Sequence, residues 1–119
     1  MERDLDERLL EYAARVVELA EALPKTMACR HIGSQMLRSG TSVGAHYQEA
    51  QAAESREDFV HKLQVALKEL RESLYWLRLL ARSGSLPAAQ LKALLEEATE
   101  LRAILSKAVA TAKARPKRP

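Results

Sequence analysis

Apolar residues recur every three or four positions in four successive segments of this 119-residue chain. This spacing places them on one face of an α-helix, so the pattern predicts four amphipathic helices. The first helix runs from Leu5 to about Leu23. Pro24 ends it, because proline disfavours helical dihedral angles in the residue that precedes it. No strand-like alternation of apolar and polar residues competes with the helical period.

Polar residues, glycine and proline mark the boundaries of the other three segments. The second helix follows a short link over residues 25–28. Ser55, followed by acidic residues two and three positions later, resembles the capping box of a third helix. Gly84 and the serines on either side of it end that helix. Leu86 and Pro87 open the fourth, since proline is tolerated in a first helical turn.

Length and composition favour the same all-α architecture. A chain of 119 residues suffices for one domain with its own core, and 47% of its residues are apolar with only one Phe and one Trp. Four amphipathic helices with short links predict an antiparallel up-down four-helix bundle over residues 1–112. Residues 113–119 are predicted to be a basic, disordered tail.

The second segment carries three glycines within its apolar period. Gly33, Gly40 and Gly44 each cost about 1 kcal/mol relative to alanine inside a helix, so a continuous helix needs a compensating contact. Gly40 and Gly44 lie four residues apart on one face, where missing side chains let another backbone approach closely. The alternative is a turn at Ser39–Ser42 between two shorter helices. The unbroken apolar period favours the continuous helix.

The sequence offers little chemistry for catalysis. His31, His46 and His61 are scattered without a metal-ligand spacing, and neither a phosphate-binding loop nor a Gly-x-Ser-x-Gly motif is present. The single Cys29 excludes an internal disulfide framework. No run is apolar enough to span a membrane, and the acidic start is not that of a signal peptide. We therefore predict a cytoplasmic, non-enzymatic protein without metal or cofactor.

The net charge of +3 is unevenly distributed along the chain. From Lys107 to the end there are five basic residues and no acids, whereas the first 106 residues hold 14 basic and 16 acidic side chains. A second acid-free stretch lies between Glu21 and Glu49. Local basic character of this kind is typical of a nucleic-acid contact. The candidate residues for binding RNA or DNA are Lys25, Arg30, Arg38, Lys113, Arg115, Lys117 and Arg118.

Several apolar residues fall outside the main stripes of the last two helices. Tyr75, Trp76 and Leu79 do so in the third helix, as Ile104 and Val109 do in the fourth. A monomer would expose these side chains, which argues for a partner, although a merely broad stripe would explain the same spacing. Charged residues of the third helix predict a solvated face with weak ion pairs, including one from Lys68 to Glu72. They are Lys62, Lys68, Glu69 and Glu72.

Two blocks of the sequence carry a resemblance to a known family. The first covers residues 29–45 with 49–50, and the second covers residues 58–69 with Glu72 and 75–77. Both resemble the "four helix bundle proteins", which include proteins encoded by intervening sequences of bacterial large-subunit ribosomal RNA genes. The family also includes the accessory variability determinants of diversity-generating retroelements. The resemblance implies a ring-like homopentamer and, for the retroelement members, basic surfaces that bind nucleic acid and a reverse transcriptase.

Two function hypotheses follow from these observations. The first is a non-enzymatic, oligomeric adaptor that binds RNA or DNA and assists a retroelement reverse transcriptase. The retroelement accessory proteins are strongly basic, whereas this chain is slightly acidic without its tail, so the tail would supply much of the attraction. The alternative is a structural or protein-interaction module of the ribosomal intervening-sequence type with no nucleic-acid role. An enzyme that uses a histidine or a carboxylate within the bundle is a remote third hypothesis.

Overall fold

Four α-helices make up the protein in the computed structural model, which describes residues 4–115. They are α1 (Leu5–Ala22), α2 (Met27–Gln51), α3 (Arg56–Arg82) and α4 (Ala88–Ala114), and the described part of the chain contains no strand. Each helix packs antiparallel on the next one in sequence, and α1 also makes a smaller contact with α4. The all-α, single-domain prediction is confirmed.

Side chains and backbone turns account for the helix boundaries. The Thr26 hydroxyl accepts a hydrogen bond from the Cys29 N–H at 3.1 Å, and the Ser55 hydroxyl accepts one from the Asp58 N–H at 3.1 Å. Gly84 has a φ of 72°, the left-handed conformation that closes a helix C-terminus. The Ser85 N–H then donates to the Leu80 carbonyl at 3.2 Å. The third helix therefore begins and ends where the sequence predicts.

The second helix is continuous through Ser39–Ser42. Ser39, Thr41 and Ser42 each donate a side-chain hydrogen bond to the carbonyl four residues earlier, at 2.8, 2.6 and 2.6 Å. These bonds satisfy the hydroxyl groups without breaking the helix, which is why residues typical of turns lie within it. The prediction of a continuous helix is confirmed, and the alternative turn is not formed.

One hydrophobic core joins the four helices. Val109, predicted to lie outside the stripe of α4, belongs to this core with 8% of its surface exposed, so that prediction is wrong. The inward face of α4 is broader than the apolar period alone suggested. The largest fully buried side chains are Tyr12, Leu9, Met36, Leu63, Leu70, Leu77, Leu80, Leu91, Leu101, Leu105, Val16 and Val43.

The fourth helix extends two residues beyond the predicted end of the bundle at residue 112. The Arg56 Nη2 donates to the carbonyls of Ala112 and Lys113 at 2.7 and 3.3 Å, and it thereby satisfies acceptors that a helix end leaves unpaired. Lys113 is consequently helical and does not belong to a disordered tail. Residues 116–119 of the predicted tail lie outside the described residues.

The helices differ in length, and this shapes one end of the molecule. α1 has 18 residues, whereas α3 and α4 have 27 each. Arg8, near the start of α1, pairs with Glu97 of α4 at 2.8 Å and with Glu100 at 3.1 Å. The last three turns of α4 therefore extend past the beginning of α1.

Candidate interaction surfaces

The two candidate close-packing glycines face α1. A Cβ atom on Gly44 would lie 3.4 Å from the Cβ of Leu9 and 3.7 Å from its backbone carbonyl carbon. One on Gly40 would lie 2.9 Å from a methyl group of Val16 and 3.1 Å from the Ser73 hydroxyl. α1 thus comes close to α2 at both positions, and at Gly40 a side chain of α3 comes close as well.

A buried hydroxyl pair lies beside this contact. The Tyr12 hydroxyl and the Ser73 hydroxyl are 2.6 Å apart, and both residues are fully buried. Burial raises the pKa of Tyr12 to about 12, because the low-dielectric core disfavours the phenolate. The pair links α1 to α3 diagonally across the bundle. Sequence patterns could not have found it, since Tyr12 and Ser73 are separated by 61 positions.

A charged and aromatic cluster joins the outer faces of α2 and α3. Arg38 donates to Glu69 at 3.2 Å and makes a short contact with Glu72, whose carboxylate also accepts the Trp76 indole N–H at 3.0 Å. The ring of His31 lies edge-on to that of Trp76, with centroids 5.9 Å apart. Hydrogen bonds from Trp76 and Arg38 lower the pKa of Glu72 below its ordinary value.

This cluster changes the interpretation of two predicted contacts. Arg38 was a candidate for binding phosphate, but Glu69 and Glu72 already neutralise its charge, so it is a poor phosphate ligand in this conformation. The predicted ion pair along α3 from Lys68 to Glu72 is replaced by the pair from Arg38 across the two helices. Lys62, which belongs to the same predicted charged face, pairs with Asp58 at 3.3 Å.

The three candidate interface residues lie on the outer part of α3 with different exposure. Tyr75 is 57% exposed, whereas Trp76 and Leu79 are half-buried against the core. The rings of Tyr75 and Trp76 meet edge to face with centroids 5.1 Å apart. Tyr75, Leu79 and Leu95 also line an open cavity of about 540 Å³ at the α3–α4 edge. Tyr75 is therefore the apolar residue of this group that is most available to a partner.

The remaining basic candidates occupy opposite ends of the molecule. Lys25 and Arg30 are exposed where α2 begins, while Lys113 and Arg115 are exposed where α4 ends. Because the helices alternate in direction, these two pairs are separated along the longest dimension of the fold, which is 56 Å. Lys117 and Arg118 lie outside the described residues. Among residues 4–115, the structure therefore does not bring the candidate residues together in one basic surface.

Sequence reasoning missed an exposed apolar stripe on α1. Leu10 and Val17 are 63% and 41% exposed, and they are seven residues apart, which places them on the same side of the helix. Four exposed glutamates share that side: Glu7, Glu11, Glu18 and Glu21. The available signal was the position of Leu10 and Val17 outside the main stripe, the same signal that identified Tyr75.

Neither a metal site nor a membrane segment is found in the described region. Over residues 4–115, no group of three or more His, Cys, Asp or Glu side chains could hold a metal ion. None of the helices described there has the length and hydropathy of a membrane-spanning segment.

Comparisons with known proteins identify the family. The family model described as "23S rRNA-intervening sequence protein" matches residues 4–107. A crystal structure of a protein of unknown function from the S23 ribosomal protein family of Bacteroides thetaiotaomicron VPI-5482 is 38% identical to this chain, with a TM-score of 0.83. The match covers 89% of this chain and 98% of that one. No curated protein sequence matches the chain. The chain belongs to the family of 23S rRNA-intervening sequence proteins.

Proposed function

We propose that this protein is a non-enzymatic, self-associating protein-interaction module in which α3 of one copy binds α1 of the next. The observation that carries the proposal is a pair of exposed stripes with apolar centres and opposite charge. The acidic stripe on α1 has Leu10 and Val17 between its glutamates. The basic stripe on α3 has Tyr75 at its centre, between exposed residues that are all basic: Lys68, Arg71, Arg78 and Arg82.

The two stripes match in length as well as in charge. Residues 7–21 of α1 and residues 68–82 of α3 each span about 21 Å, at 1.5 Å per residue. Tyr75 can pack between Leu10 and Val17 while the glutamates meet the arginines. Apolar burial would then supply affinity, and the opposite charges would set the register and the choice of partner.

Contact between different faces makes the assembly directional. A copy bound through its α3 stripe still offers its α1 stripe to a further copy, so the contact repeats until a ring closes or a filament grows. The resemblance to the four helix bundle proteins predicts a ring of five. A self-associating module of this kind corresponds to the structural or interaction role proposed from the sequence.

Charge reversal on each stripe tests the contact. We expect Glu11→Lys with Glu18→Lys, and separately Arg71→Glu with Arg78→Glu, to convert the assembly to monomers in light scattering on a sizing column. All four residues are exposed, so the helical circular dichroism should not change. Combining the four substitutions in one chain restores opposite charges and should restore the assembly. A wild-type monomer at micromolar concentration, or an assembly unaffected by either reversal, would contradict the proposal.

Nucleic-acid binding at the end of α4 is the second candidate function. Lys107, Lys113 and Arg115 are exposed there, and the sequence from Lys107 onward contains no acid. Self-association would multiply this weak basic patch, and an accessory role beside a reverse transcriptase would use the same surface. We expect fluorescence anisotropy with labelled RNA or duplex DNA to detect binding that falls steeply with salt. Absence of binding at low salt in the intact assembly would exclude this second function and leave protein interaction as the proposed role.

A further inference from the structure

The bundle has an open groove at the end where α1 has not yet begun. Three helices form its walls: the end of α2, the start of α3 and the last turns of α4. The ion pairs that Arg8 forms with Glu97 and Glu100 place the start of α1 several residues short of the end of α4. Within residues 4–115, the inward face of α4 beyond Ile104 consequently lacks the fourth helix that covers the remainder of the bundle.

The groove has the size and lining of a small-molecule site. Its volume is about 510 Å³, within the range of about 300 to 1,000 Å³ that is typical of ligand pockets. Apolar side chains from all three helices line it, and Tyr47, Phe59, Ile104 and Ala108 among them are only partly buried. Leu63 is buried at its base. An apolar ligand would therefore cover surface that the described part of the chain leaves in contact with water.

The charged groups that line the groove are all cations. Arg56, Lys107 and Arg115 belong to its lining, which includes no acidic residue. Arg56 and Arg115 lie at the Ala112 end, since the Arg56 guanidinium donates to the Ala112 carbonyl. Tyr47 lies at the opposite edge of the groove. Burial raises its pKa, and the negative charges of Asp6 and Asp4 raise it further. The groove is thus polarised, with two of its three cations, Arg56 and Arg115, at the end of α4.

The Arg56 side chain adds an unsatisfied donor at this cationic end. Its Nη2 is bound to the last carbonyls of α4, but its Nε is buried and has no hydrogen-bond partner among residues 4–115. Buried donors without acceptors are uncommon in folded proteins and require an explanation. This atom is enclosed by the described residues, so an acceptor carried by a ligand would reach it only if the Arg56 side chain moved.

We infer that this groove binds a single-chain anionic amphiphile from solution, such as a long-chain carboxylate. The carboxylate lies between Arg56 and Arg115, and the alkyl chain runs along α4 past Lys107 toward Ile104. Ile104 and Ala112 are eight positions apart, so this part of α4 provides about 12 Å of wall for that chain. Charge complementarity selects the anionic head over a cationic one, and the open apolar wall selects a long chain over a short one.

Isothermal titration calorimetry of the full chain tests this inference with dodecanoate below its micelle concentration. We expect one dodecanoate per chain, with butanoate and dodecyltrimethylammonium each binding at least about ten-fold more weakly. Equal binding of butanoate would indicate a simple anion site, and equal binding of dodecyltrimethylammonium would indicate unspecific apolar contact. Either result, or the absence of dodecanoate binding, would overturn the inference in favour of another occupant, such as a partner helix.

Two kinds of variant locate the site. Ala108→Phe fills the groove without changing its charge, and Lys107→Glu with Arg115→Glu reverses the rim without filling it. Each variant should bind dodecanoate about ten-fold or more weakly than the wild-type protein does. Thr111→Phe, at an exposed lining position, replaces Ala108→Phe if the latter unfolds. Undiminished binding to folded groove-filling variants would overturn the inference.

Sedimentation with vesicles of phosphatidylcholine and phosphatidylglycerol separates a soluble ligand from a membrane surface. We expect the protein to remain in the supernatant. Co-sedimentation that Ala108→Phe abolishes would overturn the choice of a free amphiphile in favour of a lipid surface.

Discussion

At the scale of single residues, Gly40 and Gly44 have different environments although they share one face of α2. At Gly40 an added methyl group would lie 2.9 and 3.0 Å from the two methyl groups of Val16, a fully buried side chain. Val16 is branched at Cβ and has little freedom to move away. At Gly44 the nearest atom would be 3.4 Å away, close to an ordinary contact.

The two alanine substitutions should therefore change stability in opposite directions. Gly44→Ala should stabilise the fold by up to about 1 kcal/mol, because alanine is the better helix former. Gly40→Ala gains the same propensity but should destabilise the fold by about 1 to 3 kcal/mol through overpacking against Val16 and Ser73. Urea denaturation of both variants measures the difference. Equal effects at the two positions would contradict close packing at Gly40.

Tyr12 should make stability fall at alkaline pH. Its pKa of about 12 in the fold lies above the ordinary value of 10. The contribution of Tyr12 to folding stability is therefore fully present below pH 10 and is lost as the pH rises through 12. The loss should be about 2 to 3 kcal/mol relative to Tyr12→Phe, which cannot ionise. Below pH 10 the phenylalanine variant should be less stable than wild type by about 1 kcal/mol, since Ser73 loses its partner.

Denaturant unfolding of wild type and Tyr12→Phe at a series of pH values gives the comparison. The other tyrosines are present in both proteins, so their titration cancels in the difference. A difference in stability that stays constant from pH 8 to pH 12 would mean that Tyr12 ionises in the fold as easily as in the unfolded chain.

Apolar residues were the most predictable at this scale, and polar ones the least. Leu63 and Leu70 lie seven positions apart in α3, as Leu91 and Leu105 lie fourteen apart in α4, and all four are buried, because burial follows directly from the side of the helix on which a residue lies. The partner of a polar side chain depends on how two helices are placed relative to each other. Arg38 was therefore a candidate for binding nucleic acid, although two glutamates of α3 lie beside it.

At the scale of elements, the outer seam of α2 and α3 is held by hydrogen bonds that depend on ionised Glu72. Its lowered pKa means that the contacts with Arg38 and Trp76 stabilise the fold above the ordinary pKa of 4.5 and are lost as the pH falls through the lower folded value. Trp76 is the single tryptophan of the chain, so its fluorescence reports on this seam.

We expect the Trp76 emission of the folded protein to change with a midpoint below pH 4.5. Protonation of Glu72 should weaken its hold on the indole N–H and open this part of the surface to water. Glu72→Gln should abolish the transition because the amide does not titrate. Glu69→Gln is the matched control: Glu69 also pairs with Arg38 but does not contact the indole in this structure, so the transition should remain.

Element boundaries were predictable where the signal is local. Ser55 and Gly84 act on residues within five positions of themselves, and both boundaries were found from the sequence. The end of α4 was placed two residues too early because Arg56, which satisfies its last carbonyls, is 56 positions away from Ala112. When a distant residue determines where a helix ends, the sequence around that end contains no signal for it.

At the scale of the whole molecule, the acidic stripe of α1 and the basic stripe of α3 disfavour a symmetric dimer. A contact between identical stripes would oppose like charges, whereas a contact between different stripes joins opposite ones. The sequence predicted a partner surface at Tyr75 but not its complement. Leu10 and Val17 can be identified as a candidate partner surface only when the exposed side of α1 is known.

Mixing two non-associating variants should therefore rebuild the proposed assembly. Glu11→Lys with Glu18→Lys cancels the net charge of the α1 stripe and leaves α3 basic, whereas Arg71→Glu with Arg78→Glu leaves α1 acidic and cancels the net charge of the α3 stripe. Neither variant should bind itself, but each carries the complement of the other. Light scattering of an equimolar mixture should detect complexes larger than either variant alone. A mixture that stays monomeric would exclude contact between these stripes.

The order in which the helices contact each other has a consequence for how quickly the chain reaches its fold. The large interfaces join helices that follow one another in sequence, and the contact of α1 with α4 is the smallest. Chains dominated by such local contacts close only short loops during folding, and helical bundles of this kind fold in microseconds to milliseconds. α2 and α3 share the largest interface, so their hairpin is the natural nucleus. Docking of α1 onto α4 can then come last, with little effect on the rate.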